Sequence, residues 1–124
     1  MPSLVSALGE LMEQNSKLAR LEAAAAGAGP LLVRGVGAGR SFLAALLCAS
    51  GRRTVLVVTY GAERGRTLVD DARDLLRGEP VEALFYPEVA SALYDGVLPA
   101  VDETAQRLRV LDRLAAGRPT LVVA

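Results

Sequence analysis

Four short apolar runs, at residues 31–33, 54–59, 81–86 and 120–123, alternate along this chain with segments whose apolar residues recur at helical spacing. Strands that are apolar through most of their length, rather than at every second position, are buried on both faces, the condition of a parallel sheet covered by helices. The alternation therefore predicts an α/β fold of three layers, with a mostly parallel sheet and right-handed crossovers. Thr54-Val55-Leu56-Val57-Val58-Thr59 is the clearest strand, and Leu31-Leu32-Val33 reads as the first.

The helical segments divide the chain in two. Leu4, Leu8, Leu11 and Met12 form one stripe and Leu18, Leu21 and Ala25 a second, so residues 1–28 read as an N-terminal segment of two short helices or one broken helix. Residues 29–124 read as the α/β domain. In it a helix at about 40–50 turns Phe42, Leu46 and Ala49 inward, with Gly51 past its end, and a helix at about 62–77 carries Leu68, Ala72, Leu75 and Leu76 on one face. Asp102 is a candidate cap for a last helix with an Ala105, Leu108, Leu111 and Ala115 stripe, stopped by Gly117 to Pro119. An open α/β sheet adds a covering element after each strand, and none follows residue 124, so the domain reads as truncated at its C-terminus.

Composition narrows the chemistry. With 124 residues, 52% of them hydrophobic, the chain suffices for one domain with a real core, and its 14 basic and 14 acidic side chains give no polybasic surface for nucleic acid. The arginines at 64, 66, 73 and 77 alternate with Glu63, Asp70, Asp71 and Asp74, the pattern of a solvated helix face. Histidine is absent and cysteine occurs once, which excludes Ser-His and Cys-His catalysis, a histidine metal site and an internal disulfide within these residues. Cys48 falls in the longest apolar run, residues 42–49, and reads as a small core residue rather than a nucleophile. That run is far short of the ~20 residues needed to span a bilayer, so no membrane partner and a cytoplasmic location are expected.

The chemistry-bearing candidate is the glycine-rich stretch Arg34-Gly35-Val36-Gly37-Ala38-Gly39-Arg40-Ser41. A loop of this kind between a buried strand and a helix is where P-loop proteins cradle phosphates with backbone N–H groups and the helix N-terminus. The full pattern is G-x-x-x-x-G-K-[ST]; here Arg34 stands for the first Gly and Arg40 for the Lys. A wide, planar guanidinium does not replace a compact ammonium at that point. No expected strand ends in the acid that would hold magnesium and position water. The sequence thus predicts a degenerate Walker A loop, with Gly37, Gly39, Arg40 and Ser41 as the residual cofactor-binding candidates, no metal ligands and no catalytic residues. A purely structural turn and weak phosphate binding are its two readings.

Two segments together resemble the N-terminal part of the bacterial transcription-repair coupling factor, whose first domain is similar to domain 1a of the excision-repair helicase UvrB. One is the degenerate loop. The other is Tyr86-Pro87-Glu88-Val89-Ala90-Ser91-Ala92-Leu93-Tyr94-Asp95, similar to the family's F-P-D-W-E-T-L-P-Y-D run, followed by Pro99, Asp102 and Arg107-Leu108-x-x-Leu111. Order and spacing agree over about residues 31 to 124; the family's Trp is Val89, its Glu Ala90 and its Pro of P-Y-D Leu93. UvrB itself has an intact loop and a long tyrosine-rich hairpin after the third strand, for which the roughly fifteen residues here leave no room.

The resemblance implies a P-loop-NTPase-like, UvrB domain 1a-like fold and a non-catalytic scaffold or interaction module, not itself an enzyme. The parent would be an ATP- and magnesium-dependent DNA translocase that displaces stalled RNA polymerase and recruits UvrA. The module's own partners would then be other domains of the same chain, with no cofactor of its own and no direct nucleic-acid contact. Tyr94 and Asp95 are either a partner contact or a tyrosine anchor and a turn. The alternative function is the nucleotide-binding half of a P-loop helicase or kinase that tolerates Arg40 in place of Lys.

Overall fold

A computed structural model describes residues 3–88 and 101–124. Two short helices open the chain, α1 (Leu4–Met12) and α2 (Ser16–Ala25), each started by a polar cap: Ser3 Oγ accepts from the Ser6 N–H and Asn15 Oδ1 from the Lys17 N–H. A 3₁₀ turn, Gly37–Gly39, then leads into α3 (Arg40–Gly51), followed by β1 (Val55–Val57), α4 (Ala62–Leu75), β2 (Glu82–Phe85), α5 (Val101–Ala115) and β3 (Thr120–Val123).

The described sheet is entirely parallel and has three strands in the order β1-β3-β2, with Val55 opposite Leu121 and Glu82 opposite Thr120. Helices lie on both faces of β2 and β3, but one face of β1 is left open. Leu56 is 63% and Val58 76% exposed, so the clearest strand of the sequence is not buried on both faces as expected. α3 and α4 pack on one face of the sheet, where Ala44, Ala45, Cys48 and Ala72 meet Ala83 and Leu121. α5 packs on the other through Val110, which seats on Leu84 and Val122. All four residues of β3 are buried, because β3 is the middle strand and is covered above and below. The α/β, three-layer, parallel expectation is therefore met.

The expected first strand is not. Leu31, Leu32 and Val33 have no ladder partner and are 50%, 76% and 44% exposed. They lie beside Lys17, Arg20 and Leu21 of α2 rather than along β1. Without a neighbour to satisfy its backbone a run of apolar residues is not a strand, whatever its composition.

Smaller corrections concern which side chains face inward. In α1 the buried residue is Val5, while Leu4 is exposed. In α4, Val69 joins Ala72 and Leu76 in the interior, and Leu68 and Leu75 are half-buried. The expected stripe of α5 is turned away from the sheet: Leu108 and Leu111 are 60% and 50% exposed, Ala105 and Ala115 are exposed, and Val110 alone is buried. Asp102 sits in the first turn of α5.

Helix ends follow local chemistry. Gly117, at φ 66°, closes α5 with two hydrogen bonds, Gly117 N–H to the Leu114 carbonyl and Arg118 N–H to the Arg113 carbonyl, a Schellman pair. At the end of α3 the expected roles shift by one residue. Gly51 is the last helical residue and Arg52 takes the left-handed conformation, φ 43° and ψ 44°.

Candidate functional site

The C-terminal end of β1 and the N-termini of α3 and α4 meet at one place, as the carboxyl ends of parallel strands require, and this is where ligands of open α/β sheets bind. β1 ends at Val57, and Thr59 continues its pairing by donating its N–H to the Ala124 carbonyl at 2.8 Å. Tyr60 and Gly61 then turn the chain into α4. A cavity of about 720 Å³ opens here, lined on one side by Gly37, Ala38, Arg40 and Ser41 and on the other by Thr59, Tyr60, Arg64 and Asp71 among others. The structure thus places Gly37, Arg40 and Ser41 on one wall; Gly39, the remaining loop candidate, lies in the 3₁₀ turn behind them.

Two of the loop's donors have internal partners. Gly37 takes φ 51°, and the Gly39 N–H donates to the Val36 carbonyl at 2.9 Å, so that amide closes the 3₁₀ turn. The Ser41 hydroxyl is buried and donates to Oδ2 of Asp71 in α4 at 3.4 Å. Arg40 is exposed and is absent from the ion pairs among the described residues. The cavity wall carries two arginines, Arg40 and Arg64, and two carboxylates, Glu63 and Asp71. The side-chain charges on that wall therefore sum to zero.

Thr59, Tyr60, Arg64 and Asp71 were not singled out in the sequence as site residues. The first two follow directly from the strand at 54–59, since the residues after a parallel strand line its crevice. Asp71 carries no such signal: it belongs to the alternating charges of α4, and only the packing of α4 on α3 brings it to Ser41.

Cys48, on the opposite face of α3 from solvent, is fully buried and donates to the Arg53 carbonyl at 3.1 Å. Burial pushes its thiol up to about 11, only partly offset by a backbone hydrogen bond from Val55. It is a core residue with little thiolate at neutral pH. Among the described residues no group of three or more Cys, Asp or Glu side chains is placed to hold a metal ion, and no helix is long and apolar enough to cross a membrane. Tyr94 and Asp95 lie outside the described residues.

Compared with protein-family models, with curated proteins and with solved structures, the chain has no match.

Proposed function

We propose that this chain is a non-catalytic scaffold and interaction module from the N-terminal region of a transcription-repair coupling factor, acting in the cytoplasm. Its parent would be an ATP-driven DNA translocase that removes stalled RNA polymerase and recruits UvrA, and the module would pack against other domains of that parent. One observation carries the non-catalytic part: the Gly39 N–H, one of the loop amides that would face a bound phosphate, is closed on the Val36 carbonyl at 2.9 Å. The equal numbers of acidic and basic side chains on the cavity wall, and the guanidinium of Arg40 in place of the compact loop ammonium, support the same reading. The assignment to the coupling factor rests on the resemblance over residues 31 to 124.

The second reading, the nucleotide-binding half of a P-loop helicase or kinase, is favoured by the size of the cavity and by Arg40 on its wall, exposed and in none of the ion pairs among the described residues. One titration separates the two. A fluorescent ATP analogue with magnesium is added to the wild-type chain and to Arg40→Ala. The scaffold reading expects no saturable binding at millimolar nucleotide in either. Saturable micromolar binding abolished by Arg40→Ala overturns it and installs the second reading.

A further inference from the structure

Among the described residues β2 has no neighbour on the side away from β3, and that outer edge forms the floor of a groove walled by α4 and α5. Strand pairing fixes what that floor offers. The Tyr86 N–H donates inward to the Val123 carbonyl at 2.7 Å, so the peptide groups of Leu84 and Glu82 also face β3, and those of Ala83 and Phe85 face outward. The groove above them measures about 290 Å³. Arg66 and Arg73 stand on the α4 wall and Gln106 and Arg109 on the α5 wall.

The outward backbone already attracts a donor. Arg73 Nε donates to the Ala83 carbonyl at 3.2 Å while its Nη1 pairs with Asp70. Arg109 and Arg113 both pair with Glu82. Arg66 lies over the Phe85 ring, 5.4 Å from its centroid, and appears in none of the ion pairs among the described residues. Three guanidinium groups, Arg66, Arg73 and Arg109, thus line this edge against Asp70, with Glu82 shared between Arg109 and Arg113 beside it. The surplus is positive, in contrast to the neutral wall of the cavity beside Arg40.

We propose that the β2 edge is a docking site for an extended acidic segment of a partner protein, which adds to the described sheet as a further strand beside Ala83 and Phe85. Strand addition supplies affinity through the main chain and selectivity through side chains on alternate faces. Successive side chains of the added strand point to α4 and to α5 in turn, and both walls present arginine, so acids at consecutive positions are accommodated. Acidity also resolves the competition at Ala83: a carboxylate that draws Arg73 away frees the carbonyl for the incoming N–H. A second copy of this chain is the poorer occupant, because two β2 edges brought together would set arginine against arginine. Single-stranded nucleic acid is poorer too, since the one aromatic ring in the groove is half-buried under Arg66 and offers no stacking face. The proposal does not depend on the fate of the loop at residues 34–41.

The test is a fluorescence-anisotropy titration of the chain with a fluorescein-labelled eight-residue peptide of Glu and Val. Controls are the Lys-for-Glu peptide, the acidic peptide N-methylated at alternate residues, and an octadeoxythymidine. Expected is saturable micromolar binding of the acidic peptide alone, weakened ~10-fold by Arg66→Glu and by Arg109→Glu and weakened by added salt. Melting curves establish that each variant is folded, and Arg66→Gln and Arg109→Gln replace any that is not. No saturation, equal binding of the N-methylated peptide, or indifference to the arginine variants overturns the proposal. Equal binding of the oligonucleotide overturns it in favour of a general polyanion surface, and a dimer that excludes the peptide overturns it in favour of a second copy.

Discussion

The hydroxyl of Ser41 at the start of α3 donates to the carboxylate of Asp71 in α4 across 3.4 Å and thirty residues of chain. The bond ties together the two helices that share one face of the sheet. It is long, and Asp71 is exposed, so its contribution to stability is small. Asp71→Ala is expected to lower stability by no more than ~1 kcal/mol, read by urea denaturation. A larger loss would mean that Asp71 holds more than this hydroxyl.

Gly65 fits α4 against β2. A Cβ at that position would stand 2.8 Å from Cε2 of Phe85 and 3.2 Å from Oγ1 of Thr59. Gly65→Ala gains up to ~1 kcal/mol of helix propensity but overpacks the contact by ~1–3 kcal/mol, so a net destabilisation is expected. A variant with a raised midpoint in urea would contradict the close approach.

Arg52 gives the opposite sign. It holds a left-handed backbone that a residue with a Cβ adopts at a cost of ~1–2 kcal/mol, and its side chain is exposed. Arg52→Gly is expected to stabilise the chain by ~0.5–1 kcal/mol, measured by thermal or urea unfolding.

The buried thiol couples stability to alkaline pH. Its value rises from 9.0 to about 11 on folding, so the native state holds the proton more tightly than the unfolded chain. The corresponding stability is complete below pH 9 and is lost as the pH climbs through about 11. Cys48→Ala should flatten that alkaline fall in melting temperature. Reaction of the native thiol with a disulfide reagent at neutral pH should be on the order of 100-fold slower than in denaturant, from the thiolate fraction alone.

Leu32 and Leu121 separate an apolar run from a strand. Leu121 is fully buried in the middle strand and Leu32 is 76% exposed. Leu121→Ala should cost ~2–5 kcal/mol, and Leu32→Ala should stay within ~0.5 kcal/mol of wild type, both by urea denaturation. Equal losses would place residues 31–33 in the sheet after all.

Periodicity and turn chemistry reveal local structure, and here they locate every described helix, the strands at 55–57, 82–85 and 120–123, and the stop at Gly117. They do not reveal whether an apolar run finds a neighbour, which is why residues 31–33 read as a strand and are not one. The same limit applies to α5: Leu108 and Leu111 have the right spacing, yet only the position of Val110 over Leu84 and Val122 decides which side faces the sheet. The glycine-rich turn at the head of α3 is legible as a candidate site. The carboxylate that answers it, like the Arg73 bond to Ala83, joins residues whose proximity arises only when the helices pack.

The strand order β1-β3-β2 also governs how the sheet is assembled. β1 and β2 come first in the chain but do not touch, so each lacks a partner until β3 inserts between them. Among the described residues no hairpin or two-stranded ribbon precedes this sheet; its pairing is wholly non-local and begins only after residues 120–123 have left the ribosome. Until then β1 and β2 both expose strand edges, and the helices α1 to α4 have an incomplete surface to close upon, so the sheet closes through long loops late in the order of the chain.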